Sequence, residues 1–279
     1  MSTPAHEVKA AKVKQYASQV DFGKTSDDYA RFRPGPPASF YDRLTRFAPI
    51  AGSSILDIGC GVGWIALEFA ARGTRRAVGV DPSPQQVEAA GRLASQRGLP
   101  CEFAVGKAEH NAQPSGAFDW CVASQAWHWF EPKAAGAECL RVLGPGGLMV
   151  VVAFDYLPGR SPIAKASEAL ILKYNPTWPM ADGTGSHVAP LFDLPAAGFV
   201  DIEQFSYEHP QPFTHESWRG RMRTCNGVAA TQSPEIVAAY DRDLAAVLAE
   251  RFPEDAKGGV VVEHRVWVAV ARKPGAARP

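Results

Sequence analysis

The chain has 279 residues, and 29 lysines and arginines balance 29 aspartates and glutamates, so its formal charge is zero. With 46% apolar and 10% aromatic residues it has the apolar content to build a core, which excludes a disordered chain. The neutral sum argues against a general nucleic-acid binder, because neutralising phosphates requires a basic surplus. Taken in chain order, Ser53-Ser54-Ile55-Leu56-Asp57-Ile58 predicts a short buried strand that runs straight into Gly59-Cys60-Gly61-Val62-Gly63. Trp64 to Arg72 carries helical spacing and stops at Gly73. Ala77 to Val80 predicts a second strand ending at Asp81, and Ser83 and Pro84 then supply an N-cap and a first-turn proline for a helix to about Gln96. Cys101–Val105 and Phe118–Ala123 predict a third and a fourth strand. Glu131–Leu143 predicts a helix stopped by Gly144-Pro145-Gly146-Gly147, before a fifth strand at Leu148–Phe154. Beyond Asp155 lie a proline-rich stretch with a helix at Ile163–Lys173, a strand at Phe199–Tyr207, a mostly helical 212–257 and a last strand at Val260–Arg272.

Alternating βα order with continuously apolar strands predicts a Rossmann-like, doubly wound seven-stranded α/β sheet, mostly parallel with an antiparallel last strand. The expected organisation is an N-terminal arm with helices at 1–48, a ligand-binding core at 49–155, and the last strands at 156–279. Lid insertions over the strand ends are expected at about 156–197 and 212–258. Cys60, Cys101, Cys121, Cys139 and Cys225 form no Cys-x-x-Cys pair, and His187, His209, His215 and His264 have no ligand spacing, so neither a disulfide framework nor a metal is expected. Met1–Gln19 lacks the apolar centre of a signal peptide, and no apolar run reaches the roughly 18–20 residues of a membrane span. A cytoplasmic protein with no membrane partner is the expectation.

The glycines at 59, 61 and 63 permit a tight turn and close approach of a ligand to the backbone, with the N-terminus of the next helix aimed at it. Asp81, at the end of the second strand, stands where a carboxylate accepts both hydroxyls of a ribose. Together they point to a ligand containing adenosine. Asp57, two residues before the first glycine, suits a cationic group such as an ammonium or a sulfonium better than a pyrophosphate. Trp64 occupies the third glycine position of the dinucleotide fingerprint counted from Gly59, and no Gly-Lys-Ser/Thr phosphate loop is present.

Leu56-Asp57-Ile58-Gly59-Cys60-Gly61-Val62-Gly63, Val80-Asp81-Pro82-Ser83 and Leu143-Gly144-Pro145-Gly146-Gly147 resemble, in order and spacing, a class I S-adenosylmethionine-dependent methyltransferase over about residues 20–155. The resemblance implies that Gly59, Cys60, Gly61 and Gly63 wrap the methionine part of the cofactor, that Asp81 holds the ribose and that Pro82 meets the adenine. The family's Gly-Asp-Ala-Glu loop reads Gly106-Lys107-Ala108-Glu109 here. Ala108 is then expected to offer its backbone amide to the adenine, and Glu109 its carboxylate. Tyr29-Ala30-Arg31-Phe32-Arg33-Pro34 resembles the Tyr-x-x-Arg-Pro arm of the trans-aconitate methyltransferase group, also known as the methyltransferase type 11 group. By that resemblance Tyr29 and Arg33 belong to the cofactor site, with Arg33 pairing the cofactor carboxylate.

Ser124-Gln125-Ala126-Trp127-His128-Trp129-Phe130 follows the fourth strand, where doubly wound folds place their catalytic loops, and a similar stretch occurs in the same group. Ser124 and Gln125 are expected to reach the cofactor. Trp127 and Trp129 are expected to line an apolar acceptor site and offer a ring face to a sulfonium. His128 is the candidate general base, opposed at this stage by a structural role. Arg219, Arg221 and Arg223 lie close together near the start of a helix, and those that face inward would orient an acidic acceptor; Arg219 and Arg223 are the expected substrate contacts. The reading is methyl transfer from S-adenosylmethionine to a small molecule by a monomer or homodimer, with carboxylate O-methylation ahead of N- or C-methylation. A NAD(P)-dependent oxidoreductase on the same sheet, or a non-catalytic S-adenosylmethionine-binding protein, stays open at this point.

Overall fold

The computed structural model describes residues 15, 16 and 18–275; the expectations for the first fourteen residues and the Pro/Ala/Gly tail past 275 lie outside the described residues. In chain order the elements are α1 (Ser26–Phe32), α2 (Ala38–Leu44), β1 (Ser54–Ile58), α3 (Trp64–Ala71), β2 (Arg76–Asp81), α4 (Pro84–Arg97), β3 (Cys101–Val105) and β4 (Phe118–Ser124). They continue with α5 (Pro132–Val142), β5 (Leu143–Tyr156), α6 (Pro162–Tyr174), α7 (Pro190–Ala197), β6 (Val200–Phe213), α8 (His215–Arg223), α9 (Pro234–Arg251) and β7 (Val260–Arg272). The strands form one seven-stranded sheet in the order β3-β2-β1-β4-β5-β7-β6. β1 pairs in parallel with β2 and β4, β2 with β3, and β4 with β5, and the antiparallel strands come last. The strand order reverses between β1 and β4, the point where open α/β sheets bind ligands beyond their carboxyl ends.

Two compact units divide the chain, and three of the five divisions fall inside β5, β6 and β7. The sheet unit comprises Pro34–Phe154, His187–Tyr207 and Val266–Pro279, and the helical unit Met1–Arg33, Asp155–Ser186 and Glu208–Arg265. In the sheet unit the period of two divides the strand side chains between two cores. Leu56, Ile58, Val78, Val80, Cys121, Ala123 and Met149 pack with Ala135, Cys139 and Val142 of α5. Ile55, Ala77, Trp120, Val122, Leu148 and Val150 pack with Phe40, Tyr41 and Leu44 of α2 and Ile65 and Phe69 of α3. The segment 34–48, expected as part of the arm, therefore belongs to the sheet core, because α2 buries three large side chains there. The helical unit has its own core, in which Tyr156, Trp218, Met222, Tyr240, Leu244 and Leu248 meet. Within it the Trp218 indole N–H donates to Ser167 Oγ at 2.9 Å and the Asn175 amide donates to the Tyr16 hydroxyl at 2.8 Å.

Three local expectations are corrected. Gly144-Pro145-Gly146-Gly147 is not a loop between helix and strand: β5 starts at Leu143, and the glycines absorb a bulge that sets Phe118↔Leu143 and then Trp120↔Leu148. α7 forms in the proline-rich stretch, with Pro190 at its first turn and Pro195 inside it, because burial of Leu194 holds it against the sheet core. β6 runs on to Phe213, six residues beyond the expected Tyr207. No described helix is long and apolar enough to cross a membrane.

α5 approaches α7 so closely that a β-carbon built on Gly136 would stand 2.4 Å from Ala197 Cβ, whereas one built on Gly91 of α4 meets nothing within 4 Å. Gly136→Val is therefore expected to lower unfolding stability by about 1–3 kcal/mol. Gly91→Ala should leave it unchanged or raise it by a few tenths to about 1 kcal/mol. Urea titration of both variants measures the contrast.

Candidate functional site

The site begins where β1 ends. Gly59, Gly61 and Gly63 have φ of 63°, 53° and 83°, a region that side chains with a β-carbon avoid, so glycine is required for this turn. Added β-carbons would also strike neighbours at two of them: Ala126 Cβ at 2.8 Å from Gly59, and the Phe103 ring at 2.6 Å from Gly63. At Gly61 the nearest atom stands 3.7 Å away, so the middle of the loop is the open part of the cradle. The Leu67 N–H donates to the Gly63 carbonyl at 2.9 Å, which starts α3 directly from the loop.

Asp81 ties the loop to the next strand end. The Gly61 N–H donates to its Oδ2 at 2.9 Å and the Ser83 N–H to its Oδ1, also at 2.9 Å. Burial raises its pKa and these two amide bonds oppose the rise. Ser83 caps α4 as expected, its hydroxyl accepting from the Gln86 N–H, and Gly98 ends that helix in the left-handed region. Cys60 lies in the loop with its N–H on the Val80 carbonyl at 3.0 Å. Burial, then Asp57 and Asp81, push its thiol pKa well up, so it stays protonated.

Asp57 is 1% exposed. The Ala66 N–H donates to its Oδ2 at 3.2 Å, and its Oδ1 has no hydrogen-bond partner among the described residues. Burial, with a smaller push from Asp81, raises its pKa to about 8. A buried acceptor left without a donor is costly unless a ligand group completes it. An unmatched carboxyl oxygen beside an open glycine cradle fits a ligand that brings an N–H donor or a positive charge.

Across the switch point, the loop after β4 starts with Ser124 and then Gln125, a non-glycine residue at φ 56°. Its N–H donates to the Val152 carbonyl at 2.9 Å and its side-chain amide to the Phe154 carbonyl at 2.7 Å, and these bonds over-determine the strained backbone. Trp127 turns inward: it is 4% exposed, packs edge-on against Phe130, and its indole N–H donates to Asp193 at 2.9 Å. His128 and Trp129 are half-buried, their ring centres 4.5 Å apart. Of the expected aromatic pair, Trp129 is the one left outside the core. Ala108 is buried, and Glu109 accepts the Glu131 N–H at 2.9 Å at the start of α5. Pro82 is exposed beside Asp81.

Two groups here were not singled out from the sequence. The indole N–H of Trp64, directly after Gly63, and the side-chain amide nitrogen of Asn111 are both buried without a partner among the described residues. Trp64 had a signal, since it fills the place of the fingerprint's third glycine; Asn111 had none.

The remaining expected residues lie in the helical unit. Tyr29 is on α1, and the Arg33 guanidinium stands over its ring at 4.9 Å. Arg219 pairs with Asp241, and Arg223 pairs with Asp28 at 2.7 Å and Asp241 at 2.9 Å. Both of these arginines therefore have carboxylates of their own.

Residues 56–151 match a family described as a methyltransferase domain. An uncharacterised methyltransferase of Mycobacterium bovis is 34% identical over 134 residues, which are 48% of this chain and 51% of that protein. The chain thus spans about half the length of the curated relatives it matches. A putative type II methyltransferase of Anaeromyxobacter dehalogenans superposes with a TM-score of 0.58 at 23% identity, over 88% of this chain and 100% of that one. A Haemonchus contortus phosphoethanolamine N-methyltransferase, solved with phosphomonomethylethanolamine and S-adenosylhomocysteine, superposes with a TM-score of 0.53 at 18% identity, over 90% of this chain and 57% of that one. At these identities the superpositions establish a shared fold.

The Asp57 carboxyl sets a pH dependence for the free protein. In the folded chain it stays protonated up to about pH 8, whereas unfolded it ionises above about pH 4. The folded state thus holds the extra proton across that window, and stability falls as pH rises from about 4 to 8. Asp57→Asn should raise stability by roughly 1–3 kcal/mol at pH 7.5 and leave it unchanged near pH 4. Denaturant midpoints at the two pH values check this.

Proposed function

We propose that this chain, whose residues 56–151 match a methyltransferase domain family, transfers a methyl group from S-adenosylmethionine to a small-molecule acceptor. The observation that carries the reading is the unmatched, buried Oδ1 of Asp57 beside the open middle of the glycine cradle. A pyrophosphate there would meet a carboxyl group, whereas the ammonium of a methionine moiety supplies both an N–H donor and a positive charge. Bound in that cradle, S-adenosylmethionine supplies an electrophilic methyl on a sulfonium leaving group.

The chain's residues then divide the work of holding and aligning. Gly59, Cys60, Gly61 and Gly63 present backbone to the methionine part, and Asp57 balances its ammonium. Asp81, already fixed by two amides, keeps lone pairs for the ribose hydroxyls, with Pro82 beside the adenine. Ala108 and Glu109 recognise the adenine edge, and Ser124 and Gln125 close the site from β4. Trp129 gives the acceptor an apolar wall. Alignment and exclusion of water supply most of the rate, since the leaving group needs no acid. His128 accepts the proton of a hydroxyl, amine or acidic-carbon acceptor, and is dispensable if the acceptor is a carboxylate.

Two measurements test this. Calorimetry at pH 7 in buffers of different ionisation enthalpy should show S-adenosylmethionine binding with release of up to one proton, as Asp57 ionises against the ligand's charge. Asp57→Asn should abolish the release, and Asp81→Asn should weaken binding about tenfold or more. Absence of binding by the unaltered protein would sink the proposal. In a screen for acceptor-dependent S-adenosylhomocysteine formation, His128→Ala should cut turnover about 100-fold or more at unchanged cofactor affinity if the accepting atom carries a proton. Undiminished turnover would make His128 structural.

A further inference from the structure

β2 carries a glycine that its own backbone does not require. Gly79 stands in the middle of that strand and outside the left-handed region. Glycine inside a strand weakens it, and its use there marks a place where something must come close. Two groups occupy the space. A β-carbon built on Gly79 would stand 2.6 Å from Cδ1 and 2.7 Å from Cε1 of Phe103, and 2.9 Å from the Cys60 sulfur. Phe103 faces Gly79 in the parallel β2–β3 register and belongs to β3, the edge strand of the sheet. The same edge of its ring continues to Gly63, where an added β-carbon would stand 2.6 Å from Cζ and 2.7 Å from Cε1. One ring edge thus fills the room that two glycines leave, one in β2 and one at the end of the glycine turn.

β3 supports the start of α3 at a second point. Cys101 lies two residues before Phe103, so its side chain leaves the same face of the strand, and its thiol donates to the Ala66 carbonyl at 3.7 Å. Ala66 is also the residue whose N–H answers Asp57. From α4, Ala90 stands 3.2 Å from the place of a Gly63 β-carbon. The glycine turn is therefore held at both ends: Ala126 and Phe130 close on Gly59, and Phe103 with Ala90 closes on Gly63. All of these residues belong to the sheet unit. A turn with three glycines has more backbone freedom than any other sequence of its length, and it keeps one shape only where its neighbours impose it.

We infer that Phe103 is a positioning residue for the cofactor cradle: its ring, seated in the gap at Gly79, sets the place of Gly63 and with it the first turn of α3. The inference rests on the methyl-transfer reading above and adds to it a residue outside the glycine turn that decides whether the cradle keeps its binding shape. The seat and the ring form one device. Removing the ring leaves Gly63 without its support from β3, and adding a methyl at Gly79 drives the ring off its seat and against the turn. Either change reaches the cradle, while Asp81 and the other groups of the site stay unaltered. Methionine at position 103 keeps the reach of the ring in a flexible, apolar form.

The test measures S-adenosylhomocysteine affinity by calorimetry on the full chain, at a temperature where circular dichroism shows each variant folded. Phe103→Ala and Gly79→Ala should each weaken binding about tenfold or more. In the double variant the second change should add less than about threefold, because the ring that the new methyl would strike is gone. Phe103→Met should recover most of the affinity lost in Phe103→Ala. Phe40→Leu, a similar loss of ring in the same core, should lower the thermal midpoint and leave affinity within about twofold, which separates positioning from general stability. If either alanine variant fails to fold, Phe103→Leu against Phe40→Leu decides, with the same direction expected. The proposal is overturned if the position 103 and 79 variants bind within about twofold of the unaltered protein, if the two losses simply multiply, or if Phe40→Leu weakens binding as much. Failure of the unaltered protein to bind S-adenosylhomocysteine at all is a different result: it removes the methyl-transfer reading itself, and this inference with it.

Discussion

A carboxyl group inside a parallel sheet is the constraint around which the sheet unit is arranged. β1 is buried along its whole length between two parallel neighbours, and such strands are normally apolar on both faces. Asp57 breaks that rule one residue from the end of the strand, with only the Ala66 amide to answer it among the described residues. The penalty stays tolerable because the group remains protonated near neutrality. Apolar packing of Leu56, Ile58 and their neighbours on both faces supplies the stability that offsets it. The glycine turn, the start of α3 and the anchoring of Asp81 all depend on β1 ending where it does. A position that lowers the stability of the free protein where the strand meets the glycine turn fits the trade between stability and function.

The sheet and the glycine turn with its acidic partner were legible because both are written in local spacing. Strand-length apolar runs, Ser83 before Pro84, and three glycines followed by Asp81 each act within a few residues of themselves, and each is found where the spacing put it. What stayed hidden depends on partners distant in sequence. Trp127 looked like a wall of the site until Asp193, 66 residues on, proved to hold its indole inside the core. Pro190 suits a first helical turn, but Pro195 argues against a helix on propensity, and burial of Leu194 holds one there. Gly144-Pro145-Gly146-Gly147 carries every signal of a break, yet a bulge lets the strand begin at once.

The arginine trio on α8 shows the same limit in electrostatic form. Spacing places Arg219 and Arg223, four residues apart, on one face of a helix and Arg221 on the other, but cannot say which side has carboxylates. Asp28 comes from α1 and Asp241 from α9, so the sorting is done by tertiary structure. Charge neutrality of the whole chain conceals this arrangement: positive charge is matched at the surface of the helical unit and unmatched in its interior, while the interior of the sheet unit carries an acid without a counter-ion.

The loop after β4 shows how such a site stays in place before anything binds. Gln125 adopts a backbone conformation that costs a β-carbon-bearing residue about 1–3 kcal/mol, and it is held there from both ends. Its own amides bind two carbonyls of β5. Two residues on, Trp127 is pinned through Asp193 to α7. Ala126 then closes against Gly59, where no β-carbon would fit, so the loops on the two sides of the β1/β4 switch point are in register with each other. His128 and Trp129 ride on that clamp. Their orientation therefore depends on packing far from any reacting atom, and a change at Asp193 would reach the site by the same route as a change within it.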